Sequence, residues 1–438
     1  MFPKFRFQSG LARNLSTRPT KPGTTSFVVR IGNHPGALED VLRVLREEKV
    51  NLTRIESRPS PSRSSWDVFL DAEGAVVPTE RLSKVVHSID FLGPLYVPWF
   101  PRRRSDLDSF TRKTLDAGDD LRSDHPGFTD MAYRARREAI VKAAREFHHG
   151  EKIPTVNYSE TEIDTWRKVY DELKKRHPDY ACEEYRIIFD ELERIKIFSR
   201  NRIPQIQDLS DWLKGKTGWT LRPVTGLLSA RDFLNGLAVK CFHSTQYIRH
   251  PSSPWYTPEP DVIHELNGHV PMFADKEFAA LSHDIGLASL GASDSDIKRL
   301  ATCYWFSVEF GLVQQGGKRK AYGAGLLSSF GELEYACTGR DPSAKESDAT
   351  KPPEYLPWDP EVAAETEYPI TTYQTKYFVA DSLQSAAELT RRFCMFNMSR
   401  PFYAQFDEST GRILTVDRQV KRRGSVTESD KQEEEEEL

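Results

Sequence analysis

The sequence predicts an α+β chain, with a ferredoxin-like βαββαβ unit ahead of a larger, mainly α-helical unit. Two observations predict it. Between residues 25 and 100 the apolar residues switch between a period of two and a period of three to four, in the order strand, helix, strand, strand, helix, strand. From Met131 onward, long segments carry apolar residues at three-to-four spacing with charged faces opposite. A third observation points to chemistry. His264 and His269 stand five residues apart in WYTPEPDVIHELNGH (255–269), and Glu309 follows forty residues later (309 − 269) in YWFSVEFG.

In the first unit, SFVVRI (26–31) reads as a short apolar strand. PGALEDVLRVLREEKV (35–50) has Leu38, Val41, Leu42 and Leu45 at helical spacing, with Pro35 suited to a first turn. NLTRIESRPS (51–60) is a second strand, and Trp66, Val68 and Leu70 alternate as a third. A helix is expected from Thr79 to Ile89, with Leu82, Val85, Val86 and Ile89 on one face, and FLGPLYVPWF (91–100) as the closing strand. Residues 101–130 are charged and punctuated by Pro and Gly, as in a linker. The segments 130–147, 161–177 and 181–195 then read as amphipathic helices, and short strands are expected near 370–379 and 413–416. The expected organisation is a basic tail over 1–24, a small unit over 25–100, a linker over 101–130, a catalytic unit over 131–412, and a strand arm with an acidic tail over 413–438.

Composition excludes several classes. At 438 residues and 11 % aromatics the chain can bury a sizeable core in two or three domains. A net charge of −4 makes no case for nucleic acid. No run of about 18 apolar residues is present to span a membrane. Five scattered cysteines, none in a C-x-x-C pair, fit free thiols in a reducing compartment and argue against structural zinc.

Two imidazoles and one carboxylate are the donor set of the facial triad that holds non-haem Fe(II) and leaves positions open. The alternative is a zinc site of the H-E-x-x-H kind, which needs histidines four apart on one helical face. Here they are five apart, about 140° round a regular helix. They converge only if the helix ends or bends near Gly268. A third reading makes both histidines ordinary polar residues of a semi-buried helix.

The surroundings weigh between these readings. QYIRH (246–250), YTPEPDVIHELNGHVPMF (256–273), ATCYWFSVEFGL (301–312) and AYGAGLLSSFGELEY (321–335) resemble the biopterin-dependent aromatic amino acid hydroxylases, in that family's order. The resemblance runs from about Thr25 to Arg412 and is strongest to members that act on phenylalanine. Asn267 stands where the family usually has Leu; its side chain is expected to face away from iron or to bond locally. In the first unit, Gly36, Ala37 and Leu38 together with Ile55, Glu56 and Ser57 resemble the amino-acid-binding ACT module, so they are expected to form an allosteric site for the amino acid.

The resemblance implies further roles. Fe(II) would sit on His264, His269 and Glu309, with Tyr304 nearby. A tetrahydropterin would stack on Phe233 and meet the backbone near Gly226 and Leu228, with Glu265 beside it. Ala230 stands where relatives often have Ser, which leaves the choice of tetrahydropterin open. Arg249 would clamp the substrate carboxylate bidentately, with Thr257 and Ser328 holding the same end. Trp305, Phe310, Pro260 and Gly325 would shape a slot for the ring. Glu332 is set aside as a structural carboxylate. The implied reaction joins L-phenylalanine, O2 and a tetrahydropterin to give L-tyrosine. His243 and Trp305 fit phenylalanine or tyrosine as substrate, and Ile370, in YPITTY, offers nothing to a phenol. Tyrosine hydroxylation is one alternative. A catalytically inactive amino-acid sensor is the other.

Residues 1–24 contain no Asp or Glu. That composition fits a mitochondrial transit peptide over 1–17, or a regulatory tail with Ser16 three residues after Arg13, or a disordered start. The expected location is cytoplasmic, with the mitochondrion as the alternative. The last residues, 417–438, are low-complexity and charged, with Ser425 after Arg422 and Arg423. A helical bundle seam needs apolar residues every 3.5 positions over several heptads. After Val416 the aliphatics are only Val420, Val426 and Leu438, and Gly424 interrupts. A homodimer is therefore expected, with 413–417 as an arm of a hairpin. Light scattering on the full chain should return a dimer. A stable tetramer that survives removal of residues 418–438 would overturn the reading.

Overall fold

The computed structural model describes residues 24–59, 65–73, 77–92, 98–110, 125–255, 257, 259–342, 352–369 and 372–417. The expectations for both tails, including Ser16 and Ser425, and for Ile370 fall outside these residues.

The first unit is the βαββαβ fold. Strands β1 (Thr24–Gly32), β2 (Asn51–Pro59), β3 (Ser65–Glu73) and β4 (Ser88–Leu92) form one sheet in the order β2-β3-β1-β4, and every pairing is antiparallel. Two helices, α1 (Ala37–Glu47) and α2 (Thr79–Leu82), complete the unit. Phe27, Val29, Val41, Val68, Leu70 and Leu82 make a closed core. Three expectations are corrected here. Pro35 lies before α1, whose N-cap is Gly36 at φ 89°, a left-handed conformation that favours glycine. The second helix is one turn long. The closing strand begins at Ser88, not at Phe91, and Ile89 pairs with Val29 across the sheet. The apolar set Leu82, Val85 and Ile89 fits helical spacing, but the sheet edge beside β1 recruits Ile89 as strand.

The predicted helices follow in order: α3 (Met131–Glu146), α4 (Glu160–Tyr180) and α5 (Glu183–Arg194). A capping box fixes the start of α4, where Ser159 accepts from the Glu162 N–H and Glu162 accepts from the Ser159 N–H. After α6 (Ile206–Thr217), strand β5 (Thr220–Pro223), helix α7 (Ala230–Leu237) and strand β6 (Cys241–Ser244) make a parallel β-α-β turn. The helix bearing both histidines runs into α8 (Val270–Met272), and α9 (Lys276–Ser289) and α10 (Asp294–Tyr304) pack beyond it.

A second sheet, not anticipated except for its β10 strand, has the order β8-β7-β10-β9. Its strands are β7 (Leu312–Gln315), β8 (Lys318–Ala321), β9 (Glu354–Pro357) and β10 (Lys376–Ala380). Between these strands lie α11 (Ala324–Leu327), α12 (Phe330–Thr338) and α13 (Pro360–Ala364), and α14 (Leu383–Phe396) follows. The expected strand at 413–416 is β12 (Arg412–Asp417), the second arm of a hairpin with β11 (Phe402–Asp407). The main core holds Trp166, Trp219 and Trp305, all essentially buried.

The first part of the predicted linker is packed. Leu107 and Phe110, and Phe100 just ahead of the linker, are buried with Val224, Leu228, Phe402 and Ile413. Asp108 accepts from the buried Arg222 guanidinium at 2.8 Å, so polar composition there reflects an ion-paired connector.

His177 is buried in α4 between Tyr185 and Phe189, and burial pushes its pKa down to about 3. An unfolded histidine titrates near 6.5, so the unfolded chain binds the extra proton between these values. The stability from a neutral His177 is complete above pH 6.5 and is lost as pH falls towards 3. In urea titrations between pH 7 and 5, His177→Phe should lessen the pH dependence of stability by up to about 1.4 kcal/mol per pH unit. An unchanged dependence would contradict this.

Candidate metal centre and its two cavities

His264 and His269 begin and end a π-helical turn, His264–His269, within one continuous helix. In such an i→i+5 turn, residues five apart lie one above the other. The convergence therefore needs neither an end nor a bend at Gly268, which corrects the sequence expectation. Gly268 serves close packing instead: a Cβ there would stand 2.5 Å from the Ala324 carbonyl oxygen of α11. Glu309 closes a second π turn, Trp305–Glu309, which follows α10. The Phe310 N–H bonds the Trp305 oxygen, five residues back, at 2.9 Å.

The three side chains converge. Nε2 of His264 and Nε2 of His269 are 3.0 Å apart, and Glu309 oxygens lie 3.3 Å from His269 and 3.7 Å from His264. One donor atom from each falls within 4.8 Å of the others, and all three residues are buried. Ser328 Oγ donates to the Ala324 oxygen at 2.8 Å and lies 2.9 Å from His264 Nδ1. Nδ1 therefore carries the proton, and the Nε2 lone pair faces the cluster. Burial, then the neighbouring His269, pushes the His264 pKa well down, so a second proton is disfavoured. Glu309 Oε2 is buried without a hydrogen-bond partner. A metal cation satisfies this donor set where a proton does not.

Asp261 organises the approach to this centre, and sequence reasoning missed it. It precedes the helix and accepts from the His264 N–H at 3.1 Å, as an N-cap does. Its two carboxylate oxygens also accept from Arg249 Nε and Nη2, both at 2.8 Å. One edge of the Arg249 fork is thus committed inside the protein, to Asp261. Nη1 donates to the Pro254 oxygen at 3.3 Å, and Arg249 lines a small polar cavity.

Two cavities meet at Pro260 and His264. The larger, of about 610 Å³, is mainly apolar; Gly226, Leu228, Phe233, Glu265, Trp305 and Glu309 contribute to its lining. Edge-on contacts with Phe242 and Tyr304, at 6.0 and 5.2 Å between centroids, hold the Phe233 ring in place. Trp305 is fixed by Gln374, which accepts from its indole N–H at 3.0 Å, and by stacking on Tyr368. Burial raises the Glu265 carboxyl well above the usual range, against hydrogen bonds from Thr245 at 3.3 and 3.4 Å. The smaller cavity, of about 310 Å³, is polar and includes Arg249, Thr257, Glu259 and Ser328 in its lining.

A family model described as biopterin-dependent aromatic amino acid hydroxylase matches residues 98–435, and an ACT domain model matches 25–89. The chain belongs to the biopterin-dependent aromatic amino acid hydroxylases. It is 48 % identical over 398 residues to the phenylalanine-4-hydroxylase of Dictyostelium discoideum, covering 88 % of this chain and 87 % of that one. Against the human phenylalanine-4-hydroxylase it is 45 % identical over 406 residues, covering 90 % and 87 %. Among solved structures, phenylalanine hydroxylase from Legionella pneumophila is 36 % identical with a TM-score of 0.47, covering 53 % of this chain and 91 % of that one.

Within this hydroxylase, the expected residues divide. His264, His269, Glu309, Glu265, Gly226, Leu228, Phe233, Pro260 and Trp305 line the larger cavity. Arg249, Thr257 and Ser328 line the smaller one. Tyr304, Phe310 and Gly325 line neither: Phe310 packs behind Trp305 at 4.7 Å, and Tyr304 stacks beside His269 at 6.4 Å. Asn267 is buried with neither side-chain polar atom hydrogen-bonded, so the expected local bond is absent among the described residues. Glu332 is structural, accepting from Tyr377 and from the Gln374 N–H at 2.9 and 3.0 Å.

In the ACT unit, Gly36, Ala37, Leu38 and Ser57 line a cavity of about 650 Å³ with Trp66. Ile55 is 49 % exposed and, like Glu56, lies outside that lining.

Replacing His269 with Ala should abolish stoichiometric iron binding, measured by elemental analysis of iron-loaded protein. Full iron retention would remove His269 from the metal centre.

Proposed function

We propose that this hydroxylase converts L-phenylalanine to L-tyrosine, with O2 as oxidant, a tetrahydropterin as electron donor and Fe(II) on His264, His269 and Glu309. The observation that carries this is the meeting of an apolar and a polar cavity at His264. The iron and the tetrahydropterin, when bound, supply O2 activation: the pterin yields two electrons, one oxygen atom enters the ring, and the other is reduced to the level of water.

The chain's own residues bind and orient. Phe233 offers a flat ring for the pterin, and the backbone near Gly226 and Leu228 offers polar groups to its edge. Glu265, whose carboxyl is raised well above its ordinary range by burial, stands beside the pterin in this reading. Arg249, Thr257 and Ser328 take the substrate carboxylate. Trp305 and Pro260 direct the ring towards the metal side and exclude water from it. The match of residues 25–89 to the ACT domain, with its own cavity, supports regulation by phenylalanine. We further propose a homodimer in the cytoplasm; among the described residues, no helix is long and apolar enough to cross a membrane.

A product assay with phenylalanine, tyrosine and tryptophan side by side, supplied with Fe(II) and tetrahydropterin, tests the reading. Phenylalanine should give the highest kcat/KM, with tyrosine disfavoured by at most about a hundredfold, since an apolar slot rejects an added hydroxyl weakly. Tyrosine as the better substrate would overturn it.

A further inference from the structure

The polar cavity holds two ionic side chains of opposite sign, Arg249 and Glu259. Each has its own buried counter-charge. Arg249 is paired with Asp261, which is fully buried. Glu259 is paired with Arg137, itself 3 % exposed and stacked over the Tyr247 ring at 3.8 Å. His125 is the second partner of Glu259. Its Nδ1 accepts from the Gly127 N–H at 2.9 Å, so its proton lies on Nε2, which is 3.4 Å from Glu259 Oε1.

Arg137 and His125 meet the same oxygen, Oε1. Among the described residues no hydrogen bond reaches Oε2, while the Glu259 side chain stays 14 % exposed and lines the cavity. Neighbouring Pro260 lines both cavities. The charges of Arg137, Glu259, Arg249 and Asp261 sum to zero, so the cavity is neutral overall yet polarised. That is the complement of a zwitterion. A ligand bearing only a carboxylate or only an ammonium meets one of these charged walls and leaves the other with no ligand group, paired only with its own counter-charge.

We infer that Glu259 receives the α-ammonium of the substrate at Oε2, opposite the carboxylate held by Arg249, and so selects amino acids over other aryl acids. This rests on the reaction proposed above. Glu259 is then a specificity residue, and Pro260 hands the side chain from the polar cavity into the apolar one.

The test uses the full-length, iron-loaded enzyme with tetrahydropterin. Competitive inhibition by 3-phenylpropanoate and by 2-phenylethylamine is measured against L-phenylalanine. In the wild type each should bind at least about tenfold more weakly than phenylalanine, which corresponds to about 1.4 kcal/mol or more. Glu259→Gln keeps an oxygen for Arg137 and His125 but removes the charge. It should raise KM for phenylalanine about tenfold or more, hold kcat within about threefold, and leave the Ki of 3-phenylpropanoate within about twofold. Equal weakening of phenylalanine and 3-phenylpropanoate would overturn the inference and leave Glu259 as a partner of Arg137 alone. If the variant does not fold, the wild type decides: 3-phenylpropanoate binding as tightly as phenylalanine overturns it. A wild type that makes no tyrosine from phenylalanine refutes the reaction instead. The same ligand comparison, read by intrinsic tryptophan fluorescence of wild type against Glu259→Gln, then still decides Glu259.

Discussion

A five-residue repeat in a helix is the constraint on which the catalytic unit turns. On an α-helix, His264 and His269 would point about 140° apart. The π turn brings them onto one face, and a second π turn presents Glu309 to them. Such turns are rare and occur mostly as single turns inside α-helices. Dense packing holds this one in place: α11 presses against Gly268, and the Tyr185 hydroxyl donates to the Asn267 backbone oxygen at 2.8 Å. The same α11 leads into Ser328, which sets the tautomer of His264. Packing, tautomer and metal geometry are therefore one arrangement.

Asp261 extends that arrangement to the polar cavity. One buried carboxylate caps the histidine helix and fixes Arg249. Breaking a buried ion pair by removing one partner typically costs about 3–5 kcal/mol, because the other charge is stranded. The position of the cationic end of the polar cavity is thus tied to the position of the metal ligands. Arg137 and Glu259 repeat the device on the other wall, with Tyr247 shared as a packing surface between Arg137 and the apolar cavity.

The connector beyond the ACT unit reaches the same region. Phe110 lies 6.1 Å, between ring centroids, from His243, which lines the larger cavity. Asp108 pairs with Arg222 on β5, directly ahead of the loop that carries Gly226 and Leu228. Residues 98–110 are therefore part of the wall behind the larger cavity.

The sequence by itself determined the order of elements in the small unit, the three long helices that follow, and which side chains make the candidate metal centre. Those features are local: periodicity reports which face of an element is buried, and residue type reports which chemistry a side chain can offer. Tertiary structure decided everything that depends on a partner. Thr79 to Ile89 has helical spacing, yet the edge of β1 pulls Ser88–Leu92 into the sheet. Phe310 and Gly325 sit inside the motifs but line neither cavity, and Phe310 packs against Trp305 instead, since spacing does not say which residue faces inward. The fork of Arg249 is shared with Asp261, and no pattern in the chain says how buried donors and acceptors divide among themselves. That division is set by long-range packing, which also turns an unfavourable five-residue spacing into a metal site.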